Sequence, residues 1–146
     1  MKEGNKVEIK ELKVFLDDRG YLFEGLRKDD KLFDGEYGQC LISIVFPGAV
    51  KGWHRHKKQI DYTICIKGNV KYCVVEEKGN KEVKTFYLGE NNPILIKVPP
   101  GIWHGYTPIG NKEAVLLTIT NITYDLNDTE KKDFMAFGDV WSVKNK

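Results

Sequence analysis

Eight short runs rich in β-branched and aromatic residues recur along this chain of 146 residues, at 7–16, 21–27, 39–46, 61–67, 70–77, 81–88, 93–98 and 114–121. Turn signals separate them: Asp18-Arg19-Gly20, Phe46-Pro47-Gly48, Lys67-Gly68-Asn69, Lys78-Gly79-Asn80, Gly89-Glu90-Asn91-Asn92, Pro99-Pro100-Gly101 and Gly110-Asn111. β-Branched and aromatic side chains fit a pleated backbone, while Gly, Pro and Asn supply the dihedral angles of tight turns. Helical periodicity is weak throughout. Its best showing is 128–134, where Asn127 or Asp128 is a candidate N-cap for a short helix. Strands at roughly 8–12-residue spacing predict an all-β sandwich or barrel of the jelly-roll kind, with a short helical or irregular tail. A barrel hides its strand edges and offers a mouth into which alternate side chains point.

Composition narrows the function. At 146 residues and 41% hydrophobic, residues 1–146 suffice for one domain with one core. A formal charge of +2 is too small for a nucleic-acid binder that works by neutralising phosphates. No run approaches the roughly 18 apolar residues of a membrane span. The start, Met1-Lys2-Glu3-Gly4-Asn5-Lys6, leads into no apolar signal-peptide core. Cys40, Cys65 and Cys73 form no CxxC pair and sit in strand-like stretches, so buried, reduced thiols and a cytoplasmic home are expected. The tail's Trp141 is expected to pack, and 144–146 to fray.

Two residue types are scarce and therefore easy to follow. The chain has three histidines, and three arginines beside twenty lysines. His54 and His56 lie in Lys51-Gly52-Trp53-His54-Arg55-His56-Lys57-Lys58-Gln59-Ile60-Asp61. Two residues apart in a strand, they share a face, with Arg55 opposite. His104 follows a Pro-x-Gly turn in Val98-Pro99-Pro100-Gly101-Ile102-Trp103-His104-Gly105. By the same alternation Trp53 and Trp103 point away from the histidines, toward packing.

The two motifs together, His-x-His, an acid at Asp61, a glycine at Gly68 and later Pro-x-Gly-x-x-His104, resemble the signature of the cupin superfamily over about 45–120. A closer resemblance begins upstream. Asp17-Asp18-Arg19-Gly20-Tyr21-Leu22-Phe23-Glu24 is similar to the Asp-x-Arg-Gly-x-Phe-x-Glu motif of the dTDP-4-dehydrorhamnose 3,5-epimerases. Lys51-Gly52-Trp53-His54, Ile66-Lys67-Gly68-Asn69-Val70 and Val98–Tyr106 resemble further motifs of that family in the same order. The chain also resembles the shorter relatives of the family and, through Gly-x-His-x-His-Lys, the nucleotide-sugar 3,4-ketoisomerases.

The resemblance implies a homodimeric jelly-roll cupin that binds a nucleotide-linked 6-deoxyhexose and inverts a carbon beside its C4 keto group, without a cofactor. It puts His54 at the base position and makes Tyr124 the nearest match for the acid. Arg19 and Lys51 fall at phosphate-binding positions, Glu24 at a nucleotide contact and His104 in the sugar pocket. His56 and Lys58 join the substrate-binding set. Two departures stand out. The family's lysine position holds Asp61, which then orients a histidine, leaving Lys51, Arg55 or Lys58 to steady the enolate. The C-terminal segment carrying the family's aspartate has no counterpart here, and His56 is foreign to the epimerase pattern. These departures keep three alternatives open: a 3,4-ketoisomerase, a cupin enzyme holding one divalent transition metal on His54, His56, Asp61 and His104, and a non-catalytic sugar-binding cupin. The run 7–16 is the expected site of pairing across the dimer.

Overall fold

The computed structural model describes residues 5–144. Residues 1–4 and 145–146 lie outside the described residues, and with them most of the end expected to fray. The described chain forms β1 (Glu8–Glu11), β2 (Val14–Asp17), β3 (Gly20–Phe23), β4 (Gln39–Val45), β5 (Lys51–His56), β6 (Asp61–Lys67), β7 (Asn69–Val75), β8 (Val83–Gly89), β9 (Ile94–Val98), β10 (Trp103–Pro108), β11 (Ala114–Thr120) and β12 (Thr129–Lys131). Two five-stranded antiparallel sheets, ordered β1-β9-β6-β11-β4 and β12-β5-β10-β7-β8, make the jelly roll that the turn spacing predicts. β2 and β3 stand apart as a two-stranded hairpin. Among the described residues, no helix is long and apolar enough to cross a membrane.

Three apolar clusters hold this frame. Val45, Val70, Tyr72, Val74, Leu88, Ile96, Val98 and Leu116 fill the interior. Along β11 burial alternates strictly, the period-2 signature of a strand with one face in a core. β6 and β9 are buried on both faces, because the segment after β3 lays Leu26, Leu32 and Phe33 over Tyr62, Ile64 and Leu95. On the outer face of the second sheet, Trp53 and Trp103 pack with Trp141, Phe137 and Val140 of the tail, as strand alternation predicts for both tryptophans.

Three sequence expectations are corrected. The run 7–16 is two strands: β1 joins β9, and β2 folds back on β3 through the Gly20 turn, with buried Leu12 at the break. The short helix expected over 128–134 does not form. Asp125, not Asn127 or Asp128, caps a single 3-10 turn at Leu126–Asp128, and Thr129–Lys131 instead pairs with the free edge of β5. Buried Asp128 spends its carboxylate on the backbone N–H groups of Lys58 and Gln59, so it has none left for a helix start. Cys65 and Cys73 are buried, but Cys40 is exposed on β4, which has a neighbour on one side only.

Candidate active site

β5 and β10 carry the site. His104 pairs with His54, whereas Tyr106, two residues on, pairs with Lys51, three residues back. Three residues on β5 thus oppose two on β10, which is a β-bulge, and such a bulge re-aims the side chains around it. A regular strand would put Lys51 and His54 on opposite faces. Here Lys51 donates from Nζ to Ser43 Oγ at 2.8 Å, the same oxygen that accepts the Tyr106 hydroxyl at 3.0 Å. Tyr106 stacks on buried Tyr72 at 5.7 Å between ring centroids, and Tyr72 stacks on His104 at 6.3 Å.

Asp61, at the start of β6, is the hub. It is buried, and His104 Nε2 lies 3.2 Å and His56 Nε2 3.9 Å from its Oδ2. The Gln59 side-chain amide donates to Asp61 Oδ1 at 2.7 Å and faces His56 Nε2 at 3.4 Å. Thr129 Oγ1 donates to the Asp125 carbonyl and accepts from His56 Nδ1 at 3.2 Å, so His56 is the tautomer with its proton on Nδ1. Both nitrogens of His104 face acceptors, the Ile102 carbonyl at 3.0 Å and Asp61.

The electrostatics follow from this packing. Burial pushes the Asp61 carboxyl up, but the hydrogen bond and charge of His104, then His56 and Gln59, hold it below the ordinary carboxylate value. Burial pushes His56 down, against the pull of Asp61. Burial also pushes His54 down, to about 4, aided by His104, Lys131 and His56. His54 is the odd member of the trio: its ring lies 6.5 Å from that of His104, and among the described residues it makes no hydrogen bond. The His54 imidazole therefore stays neutral well into acid.

The other sequence candidates are not all gathered here. Arg19, at the β2–β3 turn, is exposed and paired with Asp17, and Glu24 is paired with Arg27. Among the described residues, neither bonds to the histidine cluster. Tyr124 is exposed beyond β11. Lys58 is exposed in the turn after β5, its backbone N–H on Asp128. Arg55 lies on the outer face between Glu77 and Glu130, over the Trp103 ring. Four residues at the site carried no sequence-based role: Gln59, Ser43, Tyr72 and Tyr106. Gln59 and Tyr106 sit inside the quoted motifs, so their proximity to histidines was the available signal; Ser43 and Tyr72 had none.

Of the four ligands in the metal alternative, His56, Asp61 and His104 bring donor atoms within 4.8 Å of one another, and His54 is not among them. Both cluster imidazoles have Nδ1 held by a hydrogen-bond partner and Nε2 turned to the carboxylate, as metal-binding histidines do. Yet a Gln59 N–H already points at Asp61 and His56. The triad fits a divalent ion only if that amide turns its oxygen inward.

Comparison with known proteins agrees with this architecture. A probable low-salt glycan biosynthesis epimerase of Haloferax volcanii is 32% identical over 131 residues, covering 86% of this chain and 84% of its own. The Bacillus subtilis spore coat polysaccharide biosynthesis protein SpsL is 33% identical over 146 residues, covering 94% and 96%. The crystal structure of a dTDP sugar isomerase from Desulfovibrio desulfuricans G20 superposes with a TM-score of 0.83 at 23% identity, over 91% of this chain and 88% of that one, which shows the shared fold. The model of the family described as FdtA, WxcM-like, C-terminal matches residues 5–139, and the chain belongs to that family.

Proposed function

We propose that the protein is an epimerase of a nucleotide-linked 4-keto-6-deoxyhexose, with His54 as the base. One observation carries the reading. His56 and His104 are locked into the Asp61 network, whereas His54 is neutral, free of hydrogen bonds and beside them on β5. A neutral imidazole takes the proton α to the carbonyl. The C–H electron pair moves into the enolate, charge gathers on the carbonyl oxygen, and a proton given to the other face by a second acid, for which solvent-exposed Tyr124 is the candidate, inverts the carbon. The Asp61–His104 pair lies beside His54 and is held in place by its own hydrogen bonds. The relatives named for glycan and polysaccharide biosynthesis support this substrate class.

The test is solvent deuterium incorporation into dTDP-4-keto-6-deoxyglucose. Exchange at C3 or C5 by the wild type, abolished in His54→Asn with dTDP binding retained, is the expected result. A folded wild type that incorporates no deuterium overturns it.

We further propose a cytoplasmic homodimer. Ile42, Ile44 and Phe46 are exposed along or beside the edge strand β4, as are Phe15, Leu16 and Leu22 on the hairpin. An open edge is a template for a second copy. The three free thiols suit a reducing compartment. A second reading rests on the convergence of His56, Asp61 and His104, a donor set suited to a divalent transition metal that would polarise the carbonyl. Elemental analysis of untagged protein after metal reconstitution separates the two.

A further inference from the structure

Proton abstraction beside a carbonyl puts negative charge on the carbonyl oxygen, and a site that does this needs donors or a cation aimed at that oxygen. Asp61 is an anion and cannot serve. Of the three cations the sequence offers, Arg55 is on the outer face between two glutamates and Lys58 is in a turn outside the strand. Lys51 is different. The β5 bulge brings it to the inner side, onto the hydroxyl that Tyr106 also meets.

We propose that Lys51 and Tyr106, gathered on Ser43, form the oxyanion site for the enolate; this rests on the epimerase reading above. Lys51 Nζ gives two of its three N–H bonds to the protein, to Ser43 Oγ and to the Ile44 carbonyl at 3.2 Å, which leaves one for a ligand. Lys51 is exposed, while Tyr106, which meets the same Ser43 oxygen, is half-buried. The phenol can swing its proton from Ser43 to an incoming oxygen without moving its ring, which is wedged against Tyr72. Burial raises the Tyr106 hydroxyl, so it stays a donor at neutral pH.

The spacing suits the chemistry. His104 and Tyr106 are two residues apart on β10, opposite His54 and Lys51 on β5, so the backbone positions that carry the base and the oxyanion donors are roughly 7 Å apart along one face. A substrate carbonyl lying along that face has its α-hydrogen on the His54 side and its oxygen on the Lys51 and Tyr106 side. No proton needs to leave Lys51 or Tyr106. They share the charge that the broken C–H bond delivers to oxygen, and release it when the carbon is reprotonated.

The experiment compares wild type, Lys51→Met and Tyr106→Phe by deuterium exchange at saturating dTDP-4-keto-6-deoxyglucose, with dTDP affinity measured by calorimetry. Exchange slowed by about 10²- to 10³-fold in Lys51→Met and at least about tenfold in Tyr106→Phe, with dTDP affinity unchanged, is the expected result. Exchange at the wild-type rate in both variants overturns the oxyanion site and leaves the epimerase standing. Weakened dTDP binding with full exchange at saturation overturns it as well, because Lys51 is then a phosphate clamp. A wild type without exchange overturns the epimerase reading, and this inference with it. Tyr106→Phe keeps the stacked ring and serves as the folded control should Lys51→Met be unstable.

Discussion

Acid should destabilise this protein through His54 in a way that a single substitution removes. Unfolded, an imidazole titrates near 6.5; folded, His54 titrates near 4, because burial and neighbouring histidines oppose its charge. Between those values the unfolded chain holds one more proton than the native one, so stability rises with pH across the window. The native advantage is complete above about 6.5 and is lost as pH falls toward 4. The full shift corresponds to about 3.4 kcal/mol at 1.36 kcal/mol per unit. The ring is only half-buried, so solvent screening reduces this to roughly 2 kcal/mol, or about 4–8 °C in Tm for a domain of this size. Urea unfolding at about pH 7.5 and about pH 4.5 reads it out in wild type and His54→Asn. Asp61 and His56 titrate in both proteins, and their share largely cancels. The wild type should lose about 2 kcal/mol more than the variant on acidification. Equal losses would refute the buried, neutral His54. The same ring predicts that the acid limb of kcat/KM lies near 4 rather than near neutrality.

Two further outcomes follow from the surroundings of the site. Asp61→Asn removes the negative charge and leaves one acceptor oxygen where His104 Nε2 and the Gln59 amide now have one each. Breaking a buried pair in this way costs roughly 3–5 kcal/mol, read as a lower urea midpoint at unchanged m-value. Gly105→Ala places a methyl group 2.8 Å from Gly52 Cα, 2.9 Å from the Lys51 carbonyl oxygen and 3.1 Å from the Trp141 ring. Two of those contacts are backbone and cannot swing away, so a loss of about 1–3 kcal/mol is expected in equilibrium unfolding, together with slower turnover as the bulge shifts.

The strands were legible because their boundaries are written in local chemistry. The turns at Gly68, Gly89 and Gly101 use backbone angles that side chains resist, with φ of +72°, +155° and +86°. Partner choice is not local. That 7–16 splits at Leu12 depends on β9 and β3 each claiming half of it. That Thr129–Lys131 is extended depends on an unfilled edge of β5 some seventy residues earlier. The histidines were legible for the opposite reason: so few exist that their spacing pointed to one pair of strands, and the structure does bring the three rings together. Gln59 was not, because a glutamine after two lysines reads as surface. The carboxylate of Asp128 and the Asn121 side chain, which accepts the Ile60 N–H, pull that turn inward, and no local pattern announces either.

The register of the bulge was least legible and matters most, because it decides whether Lys51 belongs to the site at all. Gly52 and Gly105 face each other across β5 and β10 with no side chains, and the Trp141 ring lies against that gap on the outer face. The tail that carries this tryptophan is fastened twice. Lys71 Nζ donates to the carbonyls of Val140, Trp141 and Ser142, and the indoles of Trp53 and Trp141 both donate to the Phe134 carbonyl. A side chain at either glycine would push the strands apart or expel the ring. The outer tryptophan cluster is therefore more than cover for a sheet. It fixes the strand separation at the point where one extra residue turns Lys51 toward Tyr106, so packing on one face of the sheet sets the direction of a cation on the other.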